Sequence, residues 1–378
     1  MDRIFKRKLY DRLLTWKEQR QGKTALLIEG ARRVGKSTLV KYFAEREYES
    51  YLFIDFNRAS KQVISLFDDL MDMNMLFLQL QTIYNVSLVE RHSVIIFDEV
   101  QQCPKARQAI KYLVEDGRYD YIETGSLISI KKNTIGITIP SEEERIQMFP
   151  LDMEEFRWAL GDNVTIPLLR KIYEQKQPVK AAHRTKMREL RLYMLVGGMP
   201  QAVNEYLNTN DLSKVDLVKR DIIRLYLDDF LKLDDTGRIS ELYKNIPAQL
   251  SSNNCRYKPM QVLGHTNEDK LQELLRNMED SKTVVFQYHS NDPNVGMSLT
   301  QDYSRFKIFL SDTGLFVTLA FWDKDFTENI IYQKLLSDKL SANLGYVYEN
   351  LVAQLLVSGG NQLFYYTWQR AAQHHYEI

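Results

Sequence analysis

Hydrophobic and polar positions follow two different rhythms, and the change falls near Pro150. Between Ala25 and Leu151, short apolar runs alternate with stretches of helical spacing. Ala25–Ile28, Tyr51–Asp55, Ser93–Asp98, Tyr119–Thr124 and Ile146–Leu151 read as five strands. Runs so short and apolar belong in a mostly parallel sheet covered on both faces, which makes the fold class α/β. Ser37–Ala44 reads as a helix. Leu66–Tyr84 reads as one long amphipathic helix whose Met71, Met73 and Met75 fill core. A first helix over Arg3–Lys17 carries Phe5, Leu9, Leu13 and Trp16 three or four residues apart.

After Pro150 the spacing is helical. Asp152–Leu160 and Lys186–Val196 are expected helices, and Gly197-Gly198-Met199-Pro200 stops one helix and starts another, with Pro200 in the first turn. On the helix ending near Leu233, Arg220, Asp221, Arg224, Asp228 and Asp229 have helical spacing that lets them form i,i+4 pairs, so this charge run needs no catalytic role. From Arg238 to Phe316 come a helix (Ile239–Leu250), a short element, a helix (Asn267–Asp280), a strand (Thr283–Tyr288), the loop Asn291-Asp292-Pro293-Asn294 and a returning strand (Phe306–Leu310). That order fits a winged helix-turn-helix. The expected divisions are 1–22 (N-terminal helix), 23–151 (α/β core), 152–233 (helical subdomain), 234–320 (winged helix) and 321–378 (the start of a further α/β segment).

The α/β core holds the chemistry. Gly30, Ala31, Arg32, Arg33, Val34, Gly35, Lys36 and Ser37 spell Gly-x-x-x-x-Gly-Lys-Ser, with Thr38 next, between an apolar strand and a helix. Backbone N–H groups of such a loop meet the positive end of the helix and cradle phosphate oxygens. Lys36 reaches the β/γ-phosphates and the Ser37 hydroxyl holds Mg²⁺. The implied ligands are therefore ATP or GTP and Mg²⁺. About sixty residues on, Ser93–Glu99 delivers Asp98 for the magnesium shell and Glu99 to polarise the attacking water. The adjacent Glu favours ATP hydrolysis, as does the absence of a guanine-reading Asn-Lys-x-Asp element. Thr124 and Ser126 end the fourth strand, where a polar residue can sense the γ-phosphate; a plain Thr-Gly-Ser turn is the alternative. Arg145, just before the fifth strand, fits an arginine finger in its own site or a neighbour's. It also follows Glu142, Glu143 and Glu144, with which it can pair at the surface.

Composition narrows the partners. Among 378 residues, 50 basic and 50 acidic side chains cancel, so no global field recruits nucleic acid or anionic lipid. No apolar run reaches the ~20 residues a membrane span needs, and the N-terminus lacks an apolar signal core. Two cysteines, Cys103 and Cys255, have no metal-ligand spacing, which fits a reducing cytoplasm. Residues 1–23 carry an excess of five positive charges, readable as phosphate contacts or as a solvated helix face. Asn267–Asp280 holds five acids against Lys270 and Arg276, repulsive towards DNA, so that helix is expected to pack on protein.

Taken together, IEGARRVGKSTLV, VIIFDEVQQCP, IETGS, FPLDMEEF, LVGGMP, KIFLSDTGL and GYVYENLVAQLL, with LFYYTWQ and the terminal HHYEI, resemble prokaryotic AAA-type ATPases carrying a C-terminal winged helix and a restriction-endonuclease-like segment. The likeness runs along nearly the whole chain, and LVGGMP, SDTGL and YVYENLVAQ are its family-specific part. It implies an acid at Glu349, then further acids and a lysine on two later strands. The sequence stops at Ile378 before those, which the resemblance marks as a truncated or shortened nuclease segment. One carboxylate cannot assemble a Mg²⁺-dependent nuclease. From the residues alone, Glu349 with Asn350 reads as helix surface or cap.

Three functions follow. The first is a Mg²⁺-dependent ATPase whose nucleotide state rearranges the helical and winged-helix parts. The second is a slow nucleotide-controlled switch that binds a protein partner through the winged helix. The third is a DNA-binding or nuclease-associated ATPase that remodels or cleaves DNA in defence or mobile-element biology. A homo-oligomer follows if Arg145 completes a neighbour's site; a monomer suffices if it serves its own.

Overall fold

The computed structural model describes residues 3–127, 138–252, 256–323, 329–337, 345–371 and 374–377; Cys255 and Ile378 lie outside them. Two compact units divide the chain between Phe149 and Pro150.

The first unit runs α1 (Leu9–Arg20), β1 (Ala25–Glu29), α2 (Lys36–Glu47), β2 (Ser50–Asp55), α3 (Lys61–Ser65), α4 (Met73–Tyr84), β3 (Ser93–Asp98), α5 (Pro104–Asp116), β4 (Asp120–Gly125) and β5 (Glu143–Gln147). All five strands pair in parallel, in the order β2-β3-β4-β1-β5. Every strand therefore ends at the same edge of the sheet, and β4 separates the strand that feeds the phosphate loop from the one that ends in Asp98. One face is sealed by Leu27, Ile54, Phe97 and Tyr121 against Phe67, Phe77, Ile110 and Leu113. Phe56, Phe67 and Phe97 meet edge to face with centroids 5.5–5.8 Å apart, a favoured aromatic geometry.

Several expectations are corrected here. The first helix starts at Leu9, not Arg3. Leu66–Tyr84 is not one helix: Asp69 and Asp72 take the backbone N–H groups of Met71 and Met75, and Asp72 caps a helix that begins at Met73. Short acidic side chains that bond nearby N–H groups favour turns and caps over helix interior. Met71 is consequently 93% exposed and is not core filler, and Met75 is also exposed. The fifth strand spans Glu143–Gln147, earlier than Ile146–Leu151, so Arg145 is its middle residue, opposite Leu27. The charged stretch can form this edge strand because Arg107 neutralises Glu143 with two hydrogen bonds of 3.0 and 2.9 Å.

The second unit runs α6 (Met153–Ala159), α7 (Thr165–Glu174), α8 (His183–Val196), α9 (Pro200–Thr209), α10 (Leu212–Leu233), α11 (Arg238–Lys244), α12 (Ile246–Ser251), α13 (Pro259–Leu263), α14 (Glu268–Asp280), β6 (Val284–Ser290), β7 (Gln301–Leu310), α15 (Thr313–Ala320), α16 (Asn329–Leu336), α17 (Gly345–Ser358), β8 (Phe364–Tyr365), β9 (Thr367–Ala371) and β10 (His374–Glu377). The strands β6 and β7 form an antiparallel hairpin, and β8 joins β6 in parallel. The helix expected at Ile239–Leu250 is two, with Pro247 opening the second. Acidic α14 turns Leu271, Leu274, Leu275 and Met278 inward.

The charge run on α10 is partly buried: Arg220 and Asp229 of the run are buried, as are Asp216 and Lys219 just before it. Asp216, Lys219 and Arg220 are 0%, 0% and 2% exposed. Asp216 accepts from Arg220 at 2.8 Å, Thr318 at 2.7 Å and Tyr332 at 2.6 Å. Lys219 donates to the carbonyls of Leu195 at 2.6 Å and Gly314 at 3.2 Å. Such buried charges persist only when their partners are complete.

Asn350, beside Glu349 on α17, is buried. Its amide bonds both backbone groups of Leu310, and Gln354 accepts from the N–H and hydroxyl of Thr313. Glu349 pairs with buried Lys307 at 2.7 Å. Among the described residues, no helix is long and apolar enough to cross a membrane.

Candidate active site

The phosphate loop takes in the six residues between β1 and α2 and the first two of α2, Lys36 and Ser37. Its backbone is strained where the sequence permits it and at one place where it does not. Gly35 has φ 99° and N-caps α2, a conformation that suits glycine. Arg33 adopts φ 71°, an uncommon value for a side chain of its size. At Gly30 the constraint is space: a Cβ would lie 2.3 Å from the Met148 carbonyl oxygen. Ala31 and Val34 point into the core, while Arg33 and Thr38 are exposed and Arg32 is half-buried. Arg7 is buried and donates to the Val34 carbonyl at 3.0 Å and to the Phe149 carbonyl at 2.6 Å. A cation from before α1 thus braces the loop from behind.

Lys36 lies buried at the start of α2 and donates to the carbonyls of Gly30 and Ala31 at 2.9 and 3.0 Å. Burial pushes its ammonium down to about 8; Glu99 and Asp98 work against that shift, and Arg32 adds to it. A phosphate dianion beside it would supply the countercharge that carbonyl dipoles only partly provide.

Ser37, the next residue, donates to Asp98 Oδ1 at 2.6 Å, bridging 61 positions of sequence. Thr124, wholly buried on β4, donates to the same oxygen. Burial raises the Asp98 carboxyl above its usual range, although both hydroxyls hold it down. The chain turns sharply after Asp98: Glu99 takes φ 53°, ψ 47° and caps a single 3₁₀ turn, Val100–Gln102. Its carboxylate accepts from the Gln101 amide and from Ser126 at 3.4 Å. Non-glycine residues in this region cluster at functional sites.

Lys36, Ser37, Asp98, Glu99, Thr124 and Ser126 are therefore brought together at the C-terminal edge of β1, β3 and β4. Arg145 is placed elsewhere. It faces the row of Leu27, two positions before the end of β1, and its Nε donates to Glu143 at 2.7 Å. Glu143 also holds Arg107, and beside them Glu123 is fully buried; burial, then the Glu143 charge, pushes its carboxyl well above the normal range. Arg145 thus belongs to a charge cluster on the sheet.

Two residues of the site were missed from the sequence, Arg7 and Gln101. Arg7 acts across 27 and 142 positions, a separation that no local pattern reveals. Gln101 lies within the VIIFDEVQQCP run, but only the turn at Glu99 brings its amide back onto the acid.

The donor set suits Mg²⁺. Ser37 and Asp98 supply adjoining hard oxygens, and among the described residues no group of three or more His, Cys, Asp or Glu forms a metal cage. Mg²⁺ is ordinarily held in this way, by one or two protein oxygens with phosphates and water completing the shell.

Residues 22–157 match the AAA domain family, and residues 187–325 match a domain of unknown function. No curated protein matches. Among solved structures the chain is similar to the Walker-type ATPase PABY2304 of Pyrococcus abyssi, with 17% identity over 84% of this chain and 96% of that one, at a TM-score of 0.46. It is also similar to Orc1 of Aeropyrum pernix in complex with DNA (9% identity, 89% and 94% covered, TM-score 0.32). A third is the RuvB Holliday junction branch migration motor of Thermotoga maritima (14% identity, 76% and 90% covered, TM-score 0.31). From the parallel sheet, the loop geometry and the match to the AAA domain model, residues 22–157 have the fold of a P-loop NTPase core.

Proposed function

We propose that this chain hydrolyses ATP at the loop of residues 30–37 and uses the nucleotide state to alter its second unit. The observation that supports this best is the 2.6 Å contact between Ser37 and Asp98, because it joins loop and acid into one site. Loop N–H groups would receive phosphate oxygens, and Lys36 would leave the carbonyls of Gly30 and Ala31 for the β/γ-phosphates. Ser37 and Asp98 would hold Mg²⁺, which neutralises charge on the phosphate oxygens when bound. Glu99 would take a proton from the attacking water. Thr124 and Ser126, bonded to Asp98 and Glu99, would tie changes at the γ-phosphate to β4. No role in its own site is assigned to Arg145, whose guanidinium is engaged by Glu143.

Glu99→Gln and Lys36→Ala test this together. The Glu99 variant should bind ATP as wild type does and lose about 10²- to 10⁴-fold in single-turnover rate. The Lys36 variant should lose nucleotide binding in calorimetry. Hydrolysis by Glu99→Gln at the wild-type rate would refute the assignment of the base.

A further inference from the structure

We infer that Gln101 positions the attacking water jointly with Glu99, an inference that rests on the hydrolytic reading above. The turn that follows β3 brings the two together. It is closed by Gln102 N donating to the Glu99 carbonyl at 2.9 Å and Cys103 N donating to the Val100 carbonyl at 3.0 Å. That single turn folds the Gln101 side chain back over the acid, and its Nε2 donates to Glu99 Oε2.

The contact settles which way the amide points. A carboxylate only accepts, so the amide must present its N–H to Glu99 and direct its carbonyl elsewhere. That carbonyl, Gln101 Oε1, is buried and has no hydrogen-bond partner among the described residues. Buried acceptors are nearly always paired, with protein or with water, and one beside a reaction centre asks for a ligand hydrogen.

Attack on a γ-phosphate creates that demand. As the water oxygen bonds to phosphorus and the bond to the bridging oxygen of ADP breaks, one water proton passes to Glu99. The second stays on the new phosphate oxygen and needs an acceptor throughout. Glu99 and the Gln101 carbonyl lie side by side on one turn, so one water can donate to both and keep a lone pair for phosphorus. Gln101 takes no proton. It fixes where the water sits, and its Nε2–H keeps the carboxylate from rotating away. Orienting the nucleophile by a glutamine is a recognised device in phosphoryl transfer.

The test compares Gln101→Leu, Gln101→Asn, Glu99→Gln and the double variant Glu99→Gln/Gln101→Leu. Three quantities are measured: affinity for a non-hydrolysable ATP analogue, affinity for ADP with aluminium fluoride, and single-turnover hydrolysis. Gln101→Leu should keep analogue affinity within about twofold and lose about 10²-fold in rate, with a parallel loss of ADP–aluminium fluoride affinity. Gln101→Asn, which retains a shorter amide, should fall between. The double variant should be no slower than Glu99→Gln by more than about threefold, because both residues act through one water. Wild-type hydrolysis by both Gln101 variants, with Glu99→Gln inactive, overturns the inference and leaves the base assignment standing. Equal loss of analogue affinity and rate would make Gln101 a structural support and overturns it as well. An active Glu99→Gln would refute the hydrolytic reading itself.

Discussion

At the scale of single residues, backbone geometry and buried charge decide most outcomes. Gly30→Ala would place a methyl 2.3 Å from a main-chain oxygen that cannot step aside. We expect it to cost about 1–3 kcal/mol in denaturant unfolding and to abolish nucleotide binding in calorimetry; wild-type affinity would show that the loop does not need this close approach. Lys219 sets a pH dependence. Burial holds its ammonium at about 8 in the fold, against an ordinary 10.5, with Asp216 and Asp312 opposing the shift. Below pH 8 both folded and unfolded chains are protonated there, and the fold bears the full cost of the buried charge. Between pH 8 and 10.5 only the unfolded chain holds the proton, so raising the pH through this window stabilises the fold by up to about 1.4 kcal/mol per unit. Against Lys219→Met, wild type should gain about 1–2 kcal/mol in relative stability from pH 7.5 to 9.5. The similar shift at Lys36 cancels in that difference. A flat difference would mean that Lys219 is not held in this way.

At the scale of elements, legibility followed the range of the interaction that fixes each one. The phosphate loop was readable because its glycines, its lysine and the helix N-terminus are contiguous. The five strands were readable from apolar runs, and only the fifth was misplaced, since its Glu-Glu-Arg start becomes strand-like once Arg107 supplies a countercharge from another helix. The family-specific motifs were visible as patterns, but what they do was not. LVGGMP and SDTGL turn out to pack on each other: Asp312 accepts from the Gly198 N–H at 2.6 Å, and the Gly197 and Gly314 backbones touch. A Cβ on Gly314 would lie 2.6 Å from Gly197 Cα and from the Val196 carbonyl oxygen. YVYENLVAQ joins through Asn350 and Gln354, and Gln354 donates to Tyr193, which bonds the Leu151 carbonyl. These motifs therefore build a scaffold. Gly314→Ala should destabilise by about 1–3 kcal/mol, whereas Gly296→Ala, which meets only the Leu299 side chain at 3.6 Å, should stay within about 0.5 kcal/mol. Equal midpoints for the two in urea would contradict the packing account.

At the scale of the whole molecule, the proposed coupling has a thermodynamic consequence that hydrolysis alone does not. If ATP alters the second unit, it must bind two states of that unit with different affinity, and the effect is reciprocal. Glu99→Gln, expected to bind ATP without consuming it, allows the bound state to be held while hydrogen exchange is followed. ATP should protect the loop of residues 30–37 and also change exchange in the SDTGL and LVGGMP backbones, whose amides sit in buried hydrogen bonds. The reverse arm uses Gly314→Ala, which lies in the scaffold and outside the phosphate loop. It should shift ATP affinity by the same factor by which bound ATP changes the destabilisation that Gly314→Ala causes. A typical coupling of about 1–3 kcal/mol corresponds to roughly 5- to 150-fold in affinity, well within what calorimetry resolves. Exchange changes confined to residues before Pro150, together with unaltered ATP affinity in Gly314→Ala, would leave an ATPase whose two units act independently and would end the coupling proposal.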